Sequence, residues 1–336
     1  MYSIILSVLL IFASKTLGKS SIMLPMLPIL TTPAEIQAFK AMHPQKTVAL
    51  VPTMGNLHEG HQSLIRLAKQ RADVVIVSIF VNPTQFAPTE DFSQYPRTWE
   101  TDLSACQTAG ASAVLAPNPD LLYPMGTALD HRFSVVPPKR LTHQLCGLNR
   151  PTHFEGVATV VLKLFNWLQP TIAVFGEKDA QQLAILRWMV KDFGLPIELI
   201  GHPIVRQADG LALSSRNQYL TTPEAKVVAL GLSTLLMDVQ RVVQQAFDEN
   251  PKAVISVEKT FQQAWETIAP QLPTSPTISW DYWQAVHRES FEPQSYFSPE
   301  SLLLVAGKVG DVVRLIDNLA LYPPNPNDYS TSFMNS

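Results

Sequence analysis

Residues 47–81 constrain the fold of this 336-residue chain more than any other stretch. TVALVPT (47–53) is a short, almost wholly apolar run, and DVVIVSIFV (73–81) is a continuous β-branched and aromatic run of strand length. Strands that lack alternation are buried on both faces, as in parallel sheets. Between them HQSLIRLAKQR (61–71) sets Leu64, Leu67 and Ala68 at helical spacing on one face. Strand, helix and strand at this spacing form a βαβ unit with a right-handed crossover.

The alternation continues. A helical stretch near 98–109 precedes the strand ASAVLAP (111–117), and the helix GVATVVLKLFNWL (156–168) precedes TIAVFG (171–176). DAQQLAILRWMVKDF (179–193) is a further helix, stopped at Gly194, and PIELIGHPIV (196–205) supplies a fifth strand. The fold class is therefore α/β: a doubly wound, Rossmann-like parallel sheet over 26–204. After Asn217 the character changes. Helices are expected at 223–248 and 253–268, then strand-like pieces at 278–286 and 301–317, the second broken at Gly307 and Gly310. These make a smaller C-terminal α+β lid domain over 205–320, followed by a flexible tail, 321–336.

Residues 1–25 read as an extension outside the fold. The apolar run 2–13 is far shorter than the ~20 residues that cross a bilayer, so no stable membrane insertion is expected. Ala13, Gly18, Lys19 and Ser20 spell a relaxed phosphate loop, but Pro25 and Pro28 interrupt the helix it would have to open. The 25 basic and 28 acidic residues gather into no long run, which argues against a nucleic-acid partner gripped through phosphates. Two cysteines without C-x-x-C spacing exclude a disulfide framework and suit reduced thiols in the cytoplasm.

In an open parallel sheet, ligands bind outside the carboxyl ends of the strands. Four polar loops fall there: MGNLHEGH, NPTQF, GEKD and DGLALSSRN. His58 and His61 lie three apart, short of the H-E-x-x-H zinc spacing, and no third ligand stands out. Simple helix capping is one reading of the pair. The other is imidazole donors at a helix N-terminus, with Gly60 permitting close approach of a polyphosphate. Lys178 alone reads as a surface lysine, and so does Arg216. Together with Ser214 and Ser215 they offer charge and hydroxyls to phosphate oxygens. The dinucleotide fingerprint G-x-G-x-x-G is missing after the first strand.

PTMGNLHEGH, FVNPTQF, NRPTHFEGV, FGEKDAQQL and DGLALSSRNQYL, in this order and spacing, resemble the pantoate–β-alanine ligase (pantothenate synthetase) family from about Pro28 to Asn318. HEGH matches the H-x-G-H box of the nucleotidylyltransferase superfamily, and SSRN resembles its basic loop that closes over ATP. The resemblance implies that pantoate and ATP form pantoyl adenylate and pyrophosphate, and that β-alanine then releases AMP to give pantothenate. It implies that Met54, Gly55, Asn56, Leu57, His58, Glu59, Gly60 and His61 line the nucleotide, with His61 at the family's proton-donor position. Gly176, Glu177, Lys178 and Asp179 would follow, Lys178 on phosphate and Asp179 near the ribose. Val205 would touch adenine, with Leu213, Ser214, Ser215 and Arg216 closing above, and Gln85 and Gln182 would hold pantoate. Catalysis falls to His58, His61, Lys178 and Arg216. Mg²⁺ is implied, held largely by phosphates, with Asp102 a minor candidate ligand. A homodimer is also implied.

Ala180 departs from the family, standing where many relatives carry an aromatic residue. Some relatives also carry a fused cytidylate kinase, for which the tail after 320 leaves no room. The rival enzyme class is a nucleotidylyltransferase acting on a phosphorylated acceptor, which would call for basic residues where Gln85 and Gln182 stand. A non-catalytic scaffold tethered through residues 2–13 is the rival outside enzymology.

Overall fold

The computed structural model describes residues 27–323 apart from 88, 89, 91, 311 and 312, so the predicted extension 1–25 lies outside the described residues. Strands β1 (Ile29–Leu30), β2 (Val48–Thr53), β3 (Val74–Ile79), β4 (Ala113–Leu115), β5 (Ile172–Gly176) and β6 (Glu198–His202) pair in parallel in the order β1-β4-β3-β2-β5-β6. Helices α1 (Pro33–Ala41), α2 (Glu59–Arg71), α3 (Trp99–Ala109), α4 (His153–Leu168) and α5 (Ala180–Asp192) connect and cover them.

The unbroken apolar runs are explained by two cores, one on each face. Leu50, Ile76, Leu115, Ala173 and Phe175 join α1, α4 and α5, while Ala49, Val51, Val75, Val77, Val114 and Val174 join α2 and α3. Successive strand residues point to opposite faces, so both sets must be apolar. Strand order reverses between β2 and β5, which opens a crevice at their carboxyl ends.

The C-terminal part holds α6 (Pro223–Glu249), α7 (Val257–Ile268) and an antiparallel sheet in the order β10-β9-β7-β8. Its strands are β7 (Ile278–His287), β8 (Pro293–Gln294), β9 (Ser301–Val309) and β10 (Val313–Ala320). Among the described residues α6 is long and apolar enough to cross a membrane by length and composition, yet half of that window is buried inside the protein. A further apolar cluster joins the two parts: Leu141, Leu145, Cys146, Phe154 and Ile185 meet Val286, Phe291 and Leu304.

Several expectations need correction. The parallel sheet has six strands rather than five, because β1 is only two residues long and carries no readable periodicity. The strand expected at 196–205 contracts to β6, and α2 and α4 begin two and three residues earlier than expected. The piece 301–317 is an antiparallel hairpin: β9 runs through Gly307, and the turn comes at Gly310, whose φ is 55°. The segment 321–336 is not a free tail from its start. Leu321 is fully buried, donates its N–H to the Ser301 carbonyl at 2.9 Å and accepts from Gln240 Nε2 at 3.2 Å.

Candidate active site

β2 ends at Thr53, whose hydroxyl donates to the Ser78 carbonyl at 2.7 Å and accepts the Gly55 N–H at 3.2 Å. The chain then turns through Gly55 (φ 80°) and Asn56 (φ 51°), left-handed conformations that suit Gly and tolerate Asn. Asp102 on α3 fixes this turn from behind. Its Oδ1 accepts the Leu57 N–H at 2.7 Å, and its Oδ2 accepts the Asn56 N–H at 3.0 Å and the Thr98 hydroxyl at 3.1 Å. The carboxylate is buried and accepts three hydrogen bonds, so Asp102 anchors the turn.

The turn delivers His58 to the N-cap of α2. Its Nδ1 accepts the Gly60 N–H at 3.1 Å, and His61 Nδ1 accepts the His58 N–H at 3.3 Å, a reciprocal capping box built from two imidazoles. The rings lie 4.1 Å apart. Because each Nδ1 accepts from backbone, each neutral ring carries its proton on Nε2. Burial, reinforced by Lys178, pushes the His58 pKa down to about 4. Burial together with His58 and Lys178 pushes His61 to about 3. Capping and ligand donation are thus compatible, since they use different nitrogens. At Gly60 a Cβ would lie 2.9 Å from His58 Cε1, so the bare backbone there makes room for that ring.

β5 ends at Gly176, above which a Cβ would meet open space, and Glu177, Lys178 and Asp179 follow. Asp179 caps α5, accepting the Gln182 N–H at 3.2 Å. Burial lowers the Lys178 pKa, opposed by Asp317 and Asp179. Burial raises that of Glu177. After β6, Leu213 N–H donates to the Val205 carbonyl at 2.9 Å, and Ser214 Oγ accepts the Arg216 N–H at 3.2 Å. Ser215 Oγ donates to the Asn56 carbonyl at 3.3 Å, which joins the basic loop to the histidine loop across the crevice. Arg216 lies close enough to Lys178 for their charges to oppose each other.

Gln85 is buried in the 3₁₀ turn after β3. Its carbonyl accepts from His153 Nδ1 at 2.8 Å and Arg150 Nη2 at 3.2 Å, and Arg150 is itself paired with Glu90 at 2.6 Å. His153 is close enough to feel the Asp179 charge, and burial pushes its pKa down to about 4. Glu59 is exposed and pairs with Arg66. Asn82, Arg150 and His153 hold the Gln85 turn and had no assigned role, although all three lie within the FVNPTQF and NRPTHFEGV stretches.

The doubly wound sheet with H-x-G-H at a helix N-cap, and a basic loop folded across it, defines an α/β protein with its candidate site in the crevice where strand order reverses. More narrowly, the chain belongs to the pantoate-beta-alanine ligase family, whose model matches residues 28–320. A bifunctional pantoate ligase/cytidylate kinase from Thermosynechococcus vestitus is 47% identical over 293 residues, 87% of this chain and 54% of that protein. The chain thus spans about half the length of such bifunctional relatives. The crystal structure of pantothenate synthetase from Thermus thermophilus is 40% identical with a TM-score of 0.78, covering 88% of this chain and 100% of the other. A pantoate-beta-alanine ligase from Francisella tularensis, solved with beta-gamma ATP and beta-alanine, is 30% identical with a TM-score of 0.67, covering 89% and 99%.

Proposed function

We propose that the chain is an ATP-dependent ligase that condenses (R)-pantoate with β-alanine through a pantoyl-adenylate intermediate. The observation that carries this reading is the pair of neutral, Nε2-protonated histidines set beside Lys178 at the carboxyl ends of β2 and β5. Family membership over 28–320, and a relative solved with beta-gamma ATP and beta-alanine, support it.

In the first step a pantoate carboxylate oxygen attacks the α-phosphorus of ATP. The bond to the bridging oxygen breaks, and pyrophosphate leaves with the electron pair. A carboxylate needs no strong base to attack, so the protein's task is alignment and neutralisation of growing charge. His58 and His61 donate through Nε2–H, and Lys178 and Arg216 bring positive charge. In the second step the β-alanine amine attacks the acyl carbon, the acyl–oxygen bond breaks, AMP departs and the nitrogen loses a proton. Gln85 and Gln182 hold pantoate through neutral amides, which leave its carboxylate nucleophilic. Asp179 addresses the ribose and Val205 the adenine.

Mg²⁺ fits as a companion of ATP rather than a resident ion. As a companion of ATP it would take most of its ligands from the phosphates. A homodimer in the cytoplasm, without a nucleic-acid partner, completes the reading.

The test is pyrophosphate release from ATP and Mg²⁺, with and without pantoate, before β-alanine is added. Release that requires pantoate, followed by AMP and pantothenate once β-alanine arrives, is the expected result. Release driven by a phosphorylated acceptor and not by pantoate overturns the reading in favour of a nucleotidylyltransferase.

A further inference from the structure

Two adjacent residues of the C-terminal sheet, Asp317 and Asn318 on β10, reach out of their own core to both loops assigned to ATP. Asn318 Nδ2 donates to the Glu177 carbonyl at 2.8 Å and to the Lys178 carbonyl at 2.9 Å. Asp317 accepts Arg206 Nη1 at 2.7 Å, Arg206 Nη2 at 2.9 Å, Ser233 Oγ at 2.9 Å and the Asn318 N–H at 2.8 Å. Arg206 also donates to the Gly210 carbonyl at 3.1 Å and the Asn318 carbonyl at 3.2 Å. Arg206 and Ala212 form a bridge at the base of the loop that runs on into Leu213–Arg216. Asp317 and Asn318 are both buried, at 3% and 6% exposure.

The geometry points to Asp317 and Asn318 as positioning residues for Lys178 and for the basic loop, an inference that rests on the ligase reading above. The carbonyls of Glu177 and Lys178 lie just beyond Gly176 and His202, the last pair of the β5–β6 ladder. A two-pronged amide donor fixes where the Lys178 backbone sits and so where its ammonium can reach. Asp317 lines the same small cavity as Lys178, together with Asn217 and Ser233. Around the ammonium stand Asp317 from β10, Asp179 at the start of α5, Arg216 from the basic loop, Cys146, and His58 and His61 from α2. Asp317 is the acidic group that most favours its protonated form. The C-terminal sheet therefore contributes to adenylate formation without touching substrate.

A structural control lies at the end of the same strand. Gln240 Nε2 donates to the Ala320 and Leu321 carbonyls at 2.7 and 3.2 Å, the same number of hydrogen bonds, directed away from the ATP loops. Asn318→Ala and Gln240→Ala are compared by thermal unfolding, pantoate-dependent ATP–pyrophosphate exchange, and amide hydrogen exchange over residues 176–182 without substrates. Asn318→Ala is expected to cut the exchange kcat at least tenfold, with the KM for pantoate little changed, and to speed amide exchange over 176–182. Gln240→Ala is expected to do neither at a similar loss of thermal stability. Asp317→Asn, where it folds, should move the basic limb of the exchange pH profile to lower pH, because Lys178 loses a neighbouring negative charge.

Equal effects of the two alanine variants, or an Asn318→Ala protein within twofold of the parent in both kcat and amide exchange, overturn the proposal. Amide exchange is read without turnover. An inactive parent protein therefore refutes the ligase reading, while the clamp stands or falls on the amide data.

Discussion

Asp102 and Leu57, 45 positions apart, are joined by a 2.7 Å bond from the Leu57 N–H to the Asp102 carboxylate, and the neighbouring Asn56 N–H binds the other oxygen at 3.0 Å. The turn that carries His58 is thus shaped by a side chain from α3, which lies beyond β3 in the chain. Asp102→Ala should lose about 3–5 kcal/mol in urea unfolding, as expected for three hydrogen bonds to a buried carboxylate. It should also slow pantoate-dependent pyrophosphate release. Asp102→Asn, which keeps one acceptor oxygen, should fall between the two and show the parent's Mg²⁺ dependence; a weakened Mg²⁺ response would return Asp102 to the metal.

Gly60→Ala places a methyl 2.9 Å from His58 Cε1 and 3.0 Å from Nδ1. The ring must move, and its cap on the Gly60 N–H goes with it. The expected outcome is a cost of about 1–2 kcal/mol with a larger proportional loss in exchange rate. A variant with intact exchange would show that His58 can leave this position without consequence.

Lys178→Ala should lower the exchange kcat by about 10²–10³, the scale on which a single preorganised charge or donor acts on a transition state. Circular dichroism and the thermal midpoint should stay close to the parent, since the backbone clamp from Asn318 does not depend on the lysine side chain. Undiminished turnover in a folded variant would remove Lys178 from catalysis.

Stability should fall as pH drops from about 6.5 towards 4. His58 and His153 titrate near 4 in the folded chain and His61 near 3, each depressed chiefly by burial. In this window the unfolded chain binds more protons, so unfolding free energy rises with pH, each histidine contributing up to about 1.4 kcal/mol per pH unit. Urea midpoints measured across the window test this. His61→Gln should flatten the slope, and an unchanged slope would contradict the burial of a neutral ring.

Gln85→Ala should raise the KM for pantoate while leaving ATP binding nearly unchanged, because the turn is held through its carbonyl by His153 and Arg150 rather than through the amide that is removed. Steady-state kinetics with each substrate varied in turn separate the two. An effect confined to ATP would contradict the assignment.

Much of this arrangement was legible before any coordinates. Continuous apolar runs announced the parallel sheet, and the polar loops announced its functional edge, because both depend on local chemistry. β1 escaped because two residues carry no period. The jobs of Asp102, Arg150 and His153 escaped because each acts on backbone atoms 45 to 68 positions away, and no local pattern encodes such a partner. Asp317 and Asn318 escaped for the same reason at longer range, in a strand that reads as C-terminal core. Glu59 and Gly60 add local detail that the motif does not carry: one pairs with Arg66, and the other leaves room for the His58 ring.

The apolar cluster between the two sheets limits how this molecule can breathe. Leu141, Leu145, Phe154 and Ile185 are buried against Val286, Phe291 and Leu304, so rotating the C-terminal sheet away as a unit would wet that seam at roughly 25 cal/mol for every Å² exposed. The segment 206–216 is tied across the crevice by the Ser215–Asn56 hydrogen bond and at its base by Arg206, and it carries far less buried apolar surface. On the proposed ligase reading, this segment can act as a flap over the nucleotide at a smaller cost than rotating the sheet. The radius of gyration in solution should hardly change when ATP binds, even as the flap loses its exposure to protease.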